Sequence, residues 1–328
     1  MIRNILLAGV TALLPTLGSA APIGPFSDLV VFGDSLSDPG NIFALTGGIV
    51  PDSTLYPNGQ FTNGDTWASK LGANFASGTN FAFGGAKAVA NPEPVGGDTD
   101  DNTDNIPDFA AQRGIFNAAK PALGLGPNPL AAVWFGGNDL RAGLADPASL
   151  GAVISGAVTE IVTGVADLLS GGLTDVLVFG LPNLGRIPEV TSLDAFLASI
   201  GAAPAGTAIA GATAATQGFN AALRSGLNTL TPLGNVQFLD TFALFEDILA
   251  NANALGFTNT TDACILTLVP ASDCATDQGF VFHDSIHPTD RAHALIASEV
   301  RAAVVPLPAG GLLLLTALGG IALIRRRA

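Results

Sequence analysis

The chain has 328 residues, of which 48% are hydrophobic and only 12% charged, and its formal net charge is −14. An acidic chain of this kind argues against nucleic acid as a partner. Abundant Gly, Ala and Leu fit a packed core with tight turns and exclude a disordered class.

The first residues read as an address. Arg3 supplies a positive start, residues 5–17 are mostly apolar, and Gly18-Ser19-Ala20-Ala21 is a run of small residues. That layout is a secretory signal peptide over residues 1–20. Cleavage after Ala20 is favoured, because cleavage after Ala21 would leave Pro22 first. An N-terminal anchor is the alternative, but the apolar stretch is short for a span of about 20 residues.

Residues 21–304 have the size of one large α/β domain. An apolar run over 29–32 reads as the first buried strand and ends in Gly33-Asp34-Ser35-Leu36. Residues 63–71 read as a helix and 80–83 as a short second strand. Residues 91–108 interrupt the pattern with Pro92, Pro94 and a cluster of Asp and Asn, which reads as an inserted acidic surface loop. Its oxygen ligands suit calcium, but the glycine and closing glutamate of an EF-hand are absent, so a solvated loop is the preferred reading. A helix over 109–119, a strand over 131–135, a helix over 148–169, a strand over 175–179, a helix over 206–230, a strand over 235–239 and a helix over 242–254 follow. The last helix covers 288–300, with Pro288 in its first turn, where the missing N–H costs nothing. Continuously apolar strands alternating with helices imply a parallel sheet covered on both faces. A serine just past the carboxyl end of such a strand stands where open α/β sheets place ligands. By itself Ser35 reads first as the cap of a polar turn, because serine after a strand is common.

Cys264 and Cys274 are the only cysteines. In an exported protein they read as a disulfide, contributing roughly 2–3 kcal/mol on the chain-entropy account. Two thiols without a nearby Cys or His pair cannot complete a tetrahedral metal shell, and no metal site is expected.

At the other end, Val305-Pro306-Leu307-Pro308-Ala309 precedes an apolar run to Ile324, and Arg325-Arg326-Arg327 follow. The run is barely long enough to span a bilayer, and the arginines would stay on the cytoplasmic side. Residues 305–328 resemble the VPLPA-type sorting signal, a relative of the PEP-CTERM signals processed by exosortase-type enzymes of Gram-negative bacteria. The resemblance implies transient insertion in the inner membrane, cleavage by a sorting protease, and delivery to the envelope or beyond. A permanent anchor is the alternative. Loss of both ends, which carry four arginines and no acidic residue, would take the net charge from −14 to −18.

Four stretches carry the chemistry. They are Gly33-Asp34-Ser35-Leu36, Asn80-Phe81-Ala82-Phe83-Gly84-Gly85, Gly136-Gly137-Asn138-Asp139 and Asp284-Ser285-Ile286-His287-Pro288-Thr289. Serine hydrolysis needs a nucleophile, a base and a group that orients the base, together with donors aimed at the developing oxyanion. Ser35 supplies the nucleophile, His287 the base and Asp284 the orienting acid. Gly84 offers a backbone N–H and Asn138 a side-chain N–H. His283 is the rival base, but the three-residue step from Asp284 and the following Pro288 favour His287. His293 reads as structural. Asp34 reads as a tie within its loop. Arg141 reads as a greeter of an anionic acyl or phosphate group, or more simply as a solvated cation.

The four stretches resemble, in order and across most of the body, the blocks of the GDSL (SGNH-hydrolase) family. The resemblance implies a three-layer α/β/α sandwich with a parallel, flavodoxin-like five-stranded sheet. It also implies ester hydrolysis through an acyl-serine intermediate without metal or organic cofactor. Ser35 N–H, Gly84 N–H and the Asn138 amide would form the oxyanion hole. The expected substrate is a small-molecule or lipid ester. Phospholipid, an acylated polysaccharide or an acyl acceptor would use the same site. A surface or matrix binding module without turnover is the reading of a different class.

Overall fold

The computed structural model describes residues 23–89, 106–266, 274 and 279–305. The signal peptide, most of the acidic insertion and the C-terminal sorting segment lie outside the described residues. In chain order the elements are β1 (Asp28–Gly33), α1 (Asn41–Leu45), α2 (Trp67–Lys70), α3 (Phe109–Ala119), β2 (Pro129–Trp134), α4 (Gly137–Ala145), α5 (Leu150–Ser170), β3 (Asp175–Phe179), α6 (Pro188–Ser199), α7 (Thr207–Asn228), β4 (Asn235–Leu239), α8 (Thr241–Ala250), β5 (Asn259–Ala263), β6 (Phe280–Phe282) and α9 (Asp290–Val304).

The main sheet has the order β1-β2-β3-β4, and every pairing is parallel. Strands β1, β2 and β3 are buried along almost their whole length, as continuous apolar runs require when helices cover both faces, while the edge strand β4 is buried only at Leu239. Residues 79–83 run parallel to the free edge of β1. Val31 N–H donates to Thr79 O at 2.9 Å, Phe81 N–H to Val31 O at 2.8 Å, and Phe83 N–H to Gly33 O at 3.1 Å. Only Val31 and Asn80 form a regular bridge. The expected second strand is therefore an extended edge segment, and the sheet has four strands plus this edge. The reason is local: Gly33 N–H, which would continue the ladder, donates instead to Gln112 Oε1 at 3.0 Å, and side-chain amides bind the outer side of the segment. Asn41 Nδ2 donates to the carbonyls of Asn80 and Ala82, and Asn80 Oδ1 accepts from Ala82 N–H. Counting the edge segment, the order is the doubly wound 2-1-3-4-5.

Strand alternation sorts the core into two aromatic clusters. Phe32, in register with Val133, faces one side and packs on Phe81, Phe109 and Phe116, with ring centroids 5.5–6.0 Å apart. Trp134 and Phe179 face the other side and stack at 4.6 Å, with Trp67 of α2 against Phe179 at 4.7 Å. Helices α3, α5 and α7 pack side by side, and α2 packs on α9. By length and composition α5 is apolar enough to cross a membrane. It instead buries Ala157, Ile161, Gly164, Val165 and Leu168, one face at helical spacing, against its neighbours.

Two of the expected helices start elsewhere, and further elements appear. The helix expected over 63–71 is one short turn, α2, preceded by a loop. The last helix begins at Asp290, not Pro288, because 280–283 and 287–289 pair with each other. Thr289 N–H donates to Val281 O and His283 N–H to His287 O. The pair β5–β6, with α1, α4 and α6, was not anticipated. The cysteines form the disulfide Cys264–Cys274 at the end of β5, with Cα atoms 5.6 Å apart.

Candidate active site

Ser35 follows β1 in a turn whose first carbonyl, that of Asp34, accepts from Ser37 and Asp38 N–H. The loop between β6 and α9 carries Asp284 and His287. Although 252 residues separate them, His287 Nε2 lies 2.7 Å from Ser35 Oγ. His287 Nδ1 lies 2.6 Å from Asp284 Oδ2. All three residues are only 7% exposed.

Asp284 is tightly held. Its Oδ1 accepts the backbone N–H groups of Ile286 at 2.7 Å and His287 at 2.6 Å. Its Oδ2 also accepts the Tyr56 hydroxyl at 2.7 Å. Burial alone would push this carboxyl up. The adjacent His287 ring and these hydrogen bonds outweigh it and hold Asp284 well below the usual carboxylate range. A carboxylate only accepts, so His287 Nδ1 carries the proton and Nε2 is free to accept from the Ser35 hydroxyl. Burial, then the Asp284 charge, push the Tyr56 phenol up, so it stays a donor.

One of the three groups expected to form the oxyanion hole is engaged by another residue. Gly84 N–H is taken by Asp38 Oδ2 at 2.6 Å. Asp38 is buried and also accepts from Gly40, Asn41 and Ile42 N–H, which ties the loop after β1 to the edge segment. The next residue, Gly85, has φ +82, and its N–H donates to no group among the described residues. The same holds for Ser35 N–H. Asn138, in the first turn of α4, gives one amide hydrogen to Ala86 O at 2.9 Å and retains a second. Asp139 beside it accepts from Ala88 and Val89 N–H and holds the two loops together.

The remaining candidates are elsewhere engaged. His283 Nε2 lies 2.8 Å from Leu55 O, and its ring meets Tyr56 edge-on at 5.0 Å. Burial lowers its pKa. His293 is buried under α2 and accepts Trp67 N–H on Nδ1 at 3.2 Å. Asp34 accepts Leu36 N–H at 3.0 Å, and burial pushes its carboxyl up to about 7 despite that bond. The Arg141 side chain is partly exposed and is held by a carboxylate. Its Nε and one terminal nitrogen grip both oxygens of Glu189 at 2.7 Å.

A narrow cleft of about 40 Å³ opens beside Ser35. Its walls are mainly apolar and include Leu36, Leu181, Leu184, Ile187, Phe245 and Ile286. A separate open groove runs past Gly85, Lys87, Asn138 and Leu193. Both reach Asn138, so a bond placed there has an apolar wall on one side and an open channel on the other.

A family model described as GDSL-like Lipase/Acylhydrolase matches residues 29–300. The chain belongs to this family. Among curated relatives, it is 28% identical over 272 residues to the phosphatidylcholine-sterol acyltransferase of Aeromonas hydrophila, covering 79% of this chain and 71% of that protein. It is 26% identical to Lipase 1 of Photorhabdus luminescens, covering 83% of this chain and 49% of that protein. It is 27% identical to the secreted effector protein SseJ of Salmonella typhimurium, covering 84% of this chain and 63% of that protein. The chain thus spans about half of the lipase and less than two thirds of the effector. GDSL membership makes the chain an acylhydrolase or acyltransferase at family level.

Motif reading missed Tyr56, Asp38, Gly85 and Glu189. Tyr56 is the only tyrosine in the chain, but its partner is 228 residues away and no local spacing reports it. The adjacent Gly84-Gly85 pair leaves the free N–H ambiguous until the partner of one is known.

Proposed function

We propose that this chain is an exported serine hydrolase that cleaves carboxylic esters with an apolar acyl group. The observation that carries this reading is the continuous hydrogen-bonded line from Ser35 Oγ through His287 to Asp284. In the proposed reaction Ser35 Oγ attacks the ester carbonyl as His287 Nε2 takes its proton. Asp284 steadies the imidazolium. The tetrahedral oxyanion sits among Ser35 N–H, Gly85 N–H and the free Asn138 amide hydrogen, with Gly85 replacing Gly84. The carbon–oxygen bond to the alcohol breaks, and the alcohol leaves with the proton from His287. Water, deprotonated by His287, then attacks the acyl-serine, the bond to Ser35 Oγ breaks as His287 returns that proton to it, and the carboxylic acid leaves. The apolar cleft beside Ser35 supports an apolar acyl chain.

A second reading keeps the site but passes the acyl group to an alcohol instead of water. The acyltransferase among the relatives favours it. The export part of the proposal rests on residues 1–20 and 305–328, and the relative described as secreted supports it.

The test uses the purified mature body with chromogenic esters of graded acyl length. Ser35→Ala should abolish hydrolysis and labelling by a fluorophosphonate probe while leaving the fold intact. Full activity in that variant would exclude the mechanism. Failure of the native protein to take the probe would favour the binding-module reading. Adding an alcohol acceptor and comparing ester with free acid separates transfer from hydrolysis. The ends of the processed protein, read by mass spectrometry, test the signal peptide and the sorting cleavage.

A further inference from the structure

Arg141 and Glu189 stand outside the line of reacting groups, yet they join its two halves. The Glu189 side chain on α6 holds the Arg141 guanidinium on α4 through two bonds of 2.7 Å, the planar fork geometry that arginine provides and lysine does not. The remaining terminal nitrogen of Arg141 donates to Asn138 Oδ1 at 3.4 Å. Glu189's own backbone N–H donates to Ser285 O at 2.9 Å, inside the loop that carries Asp284 and His287. One residue therefore touches the base loop through its backbone and the oxyanion loop through its side chain.

An amide can turn end for end, and only one of its two orientations offers an N–H to an oxyanion. Arginine donates and never accepts, so Arg141 beside Asn138 admits only the orientation with Oδ1 toward the guanidinium. The Nδ2 group then faces Ala86 O and the site. We propose that Arg141 is a positioning residue that locks the Asn138 amide donor-side toward the oxyanion, and that Glu189 sets Arg141 while tying this loop to the base loop. The proposal rests on the reading of Asn138 as an oxyanion donor. It also explains why a cation lines the apolar cleft without being free to bind an anionic substrate.

The test is a double-variant cycle on a short neutral ester. Asn138→Ala should lower kcat by about 10²–10³-fold, as for the loss of one oxyanion donor. Arg141→Met should lower kcat by about tenfold or more, with KM within about twofold. In the Asn138→Ala background, the same Arg141→Met change should cost less than about twofold. Arg141→Lys should fail to restore the rate, because a point charge cannot hold Glu189 and Asn138 together. If Arg141→Met leaves Glu189 unpaired and unfolds the protein, Arg141→Met with Glu189→Met removes both charges and gives the same comparison. Equal losses in the two backgrounds would overturn the proposal, as would a rise in KM confined to anionic esters. A second readout does not need turnover. The ¹⁵N relaxation of the Asn138 side-chain NH2 should report greater motion in Arg141→Met, and an unchanged order parameter would overturn the lock. A native protein without esterase activity would sink the hydrolase reading while leaving this readout to decide the positioning role.

Discussion

The Tyr56 hydroxyl donates to Asp284 Oδ2 at 2.7 Å, and that same oxygen stands 2.6 Å from His287 Nδ1. The proposed acid thus has four hydrogen bonds, two from backbone N–H groups and two from side chains. A neutral donor on the shared oxygen holds the carboxylate in place without competing for the imidazole proton. A hydrogen bond to a charged group contributes about 1.5–3 kcal/mol. Tyr56→Phe should therefore reduce kcat/KM on a short ester by about tenfold or more while the fold survives. Unchanged kinetics would show that the Tyr56 contact is idle.

Asp38 organises the loop after β1 from below. Its two oxygens accept Gly40, Asn41, Ile42 and Gly84 N–H at 2.6–3.2 Å. Burial nevertheless pushes its carboxyl up to about 6. Asp38→Asn puts an NH2 group against N–H donors and leaves buried donors unmet. Urea unfolding at neutral pH should report a loss of about 2–4 kcal/mol. A loss below about 0.5 kcal/mol would mean that the loop is held by other contacts.

His293 sets an acid limit. Its Nδ1 accepts Trp67 N–H, and its buried Nε2 meets no partner among the described residues. Protonation would set a donor against a donor, and burial opposes the charge, so the folded pKa falls to about 3 from an ordinary 6.5. The unfolded chain therefore binds the extra proton between those values, and stability rises with pH there. The contribution is complete above about pH 6.5 and is lost as the pH falls toward 3. His293→Gln should flatten the pH dependence of the unfolding free energy in that window. Parallel curves for the two proteins would assign the acid sensitivity to other groups.

The disulfide closes a loop with a sequence separation of 10, and Asn63 Nδ2 donates to Cys274 O at 2.8 Å. Asn63 Oδ1 in turn accepts Asp290 N–H at the start of α9. Neither cysteine is one of the proposed reacting groups, so the loss of the bridge should be read in stability. Replacing both cysteines with serine should lower the unfolding free energy by about 2–3 kcal/mol and leave kcat within about twofold. A large fall in kcat at a temperature where the variant is folded would instead tie the bridge to the site.

Within the described residues, the sequence alone determined the parallel α/β layering, because buried strands must be apolar along their whole length and covering helices must carry an apolar face. It also brought out Ser35, Asp284, His287 and Asn138, since each lies in a compact motif at a loop after a strand. Periodicity and spacing are local signals, and these features are local. Tertiary structure decided everything that depends on which distant group meets which. Asp38, 46 residues from Gly84, takes the N–H expected for the oxyanion and leaves that of Gly85. Glu189, 48 residues from Arg141, grips its guanidinium with both carboxylate oxygens. The Gln112 side chain takes the N–H of Gly33 and leaves the expected edge strand a single bridge. Backbone pairing over 280–289 moves the start of the last helix past Pro288. A buried N–H must find an acceptor, and a buried carboxylate must find donors. Only the packed chain shows which pairs satisfy both demands.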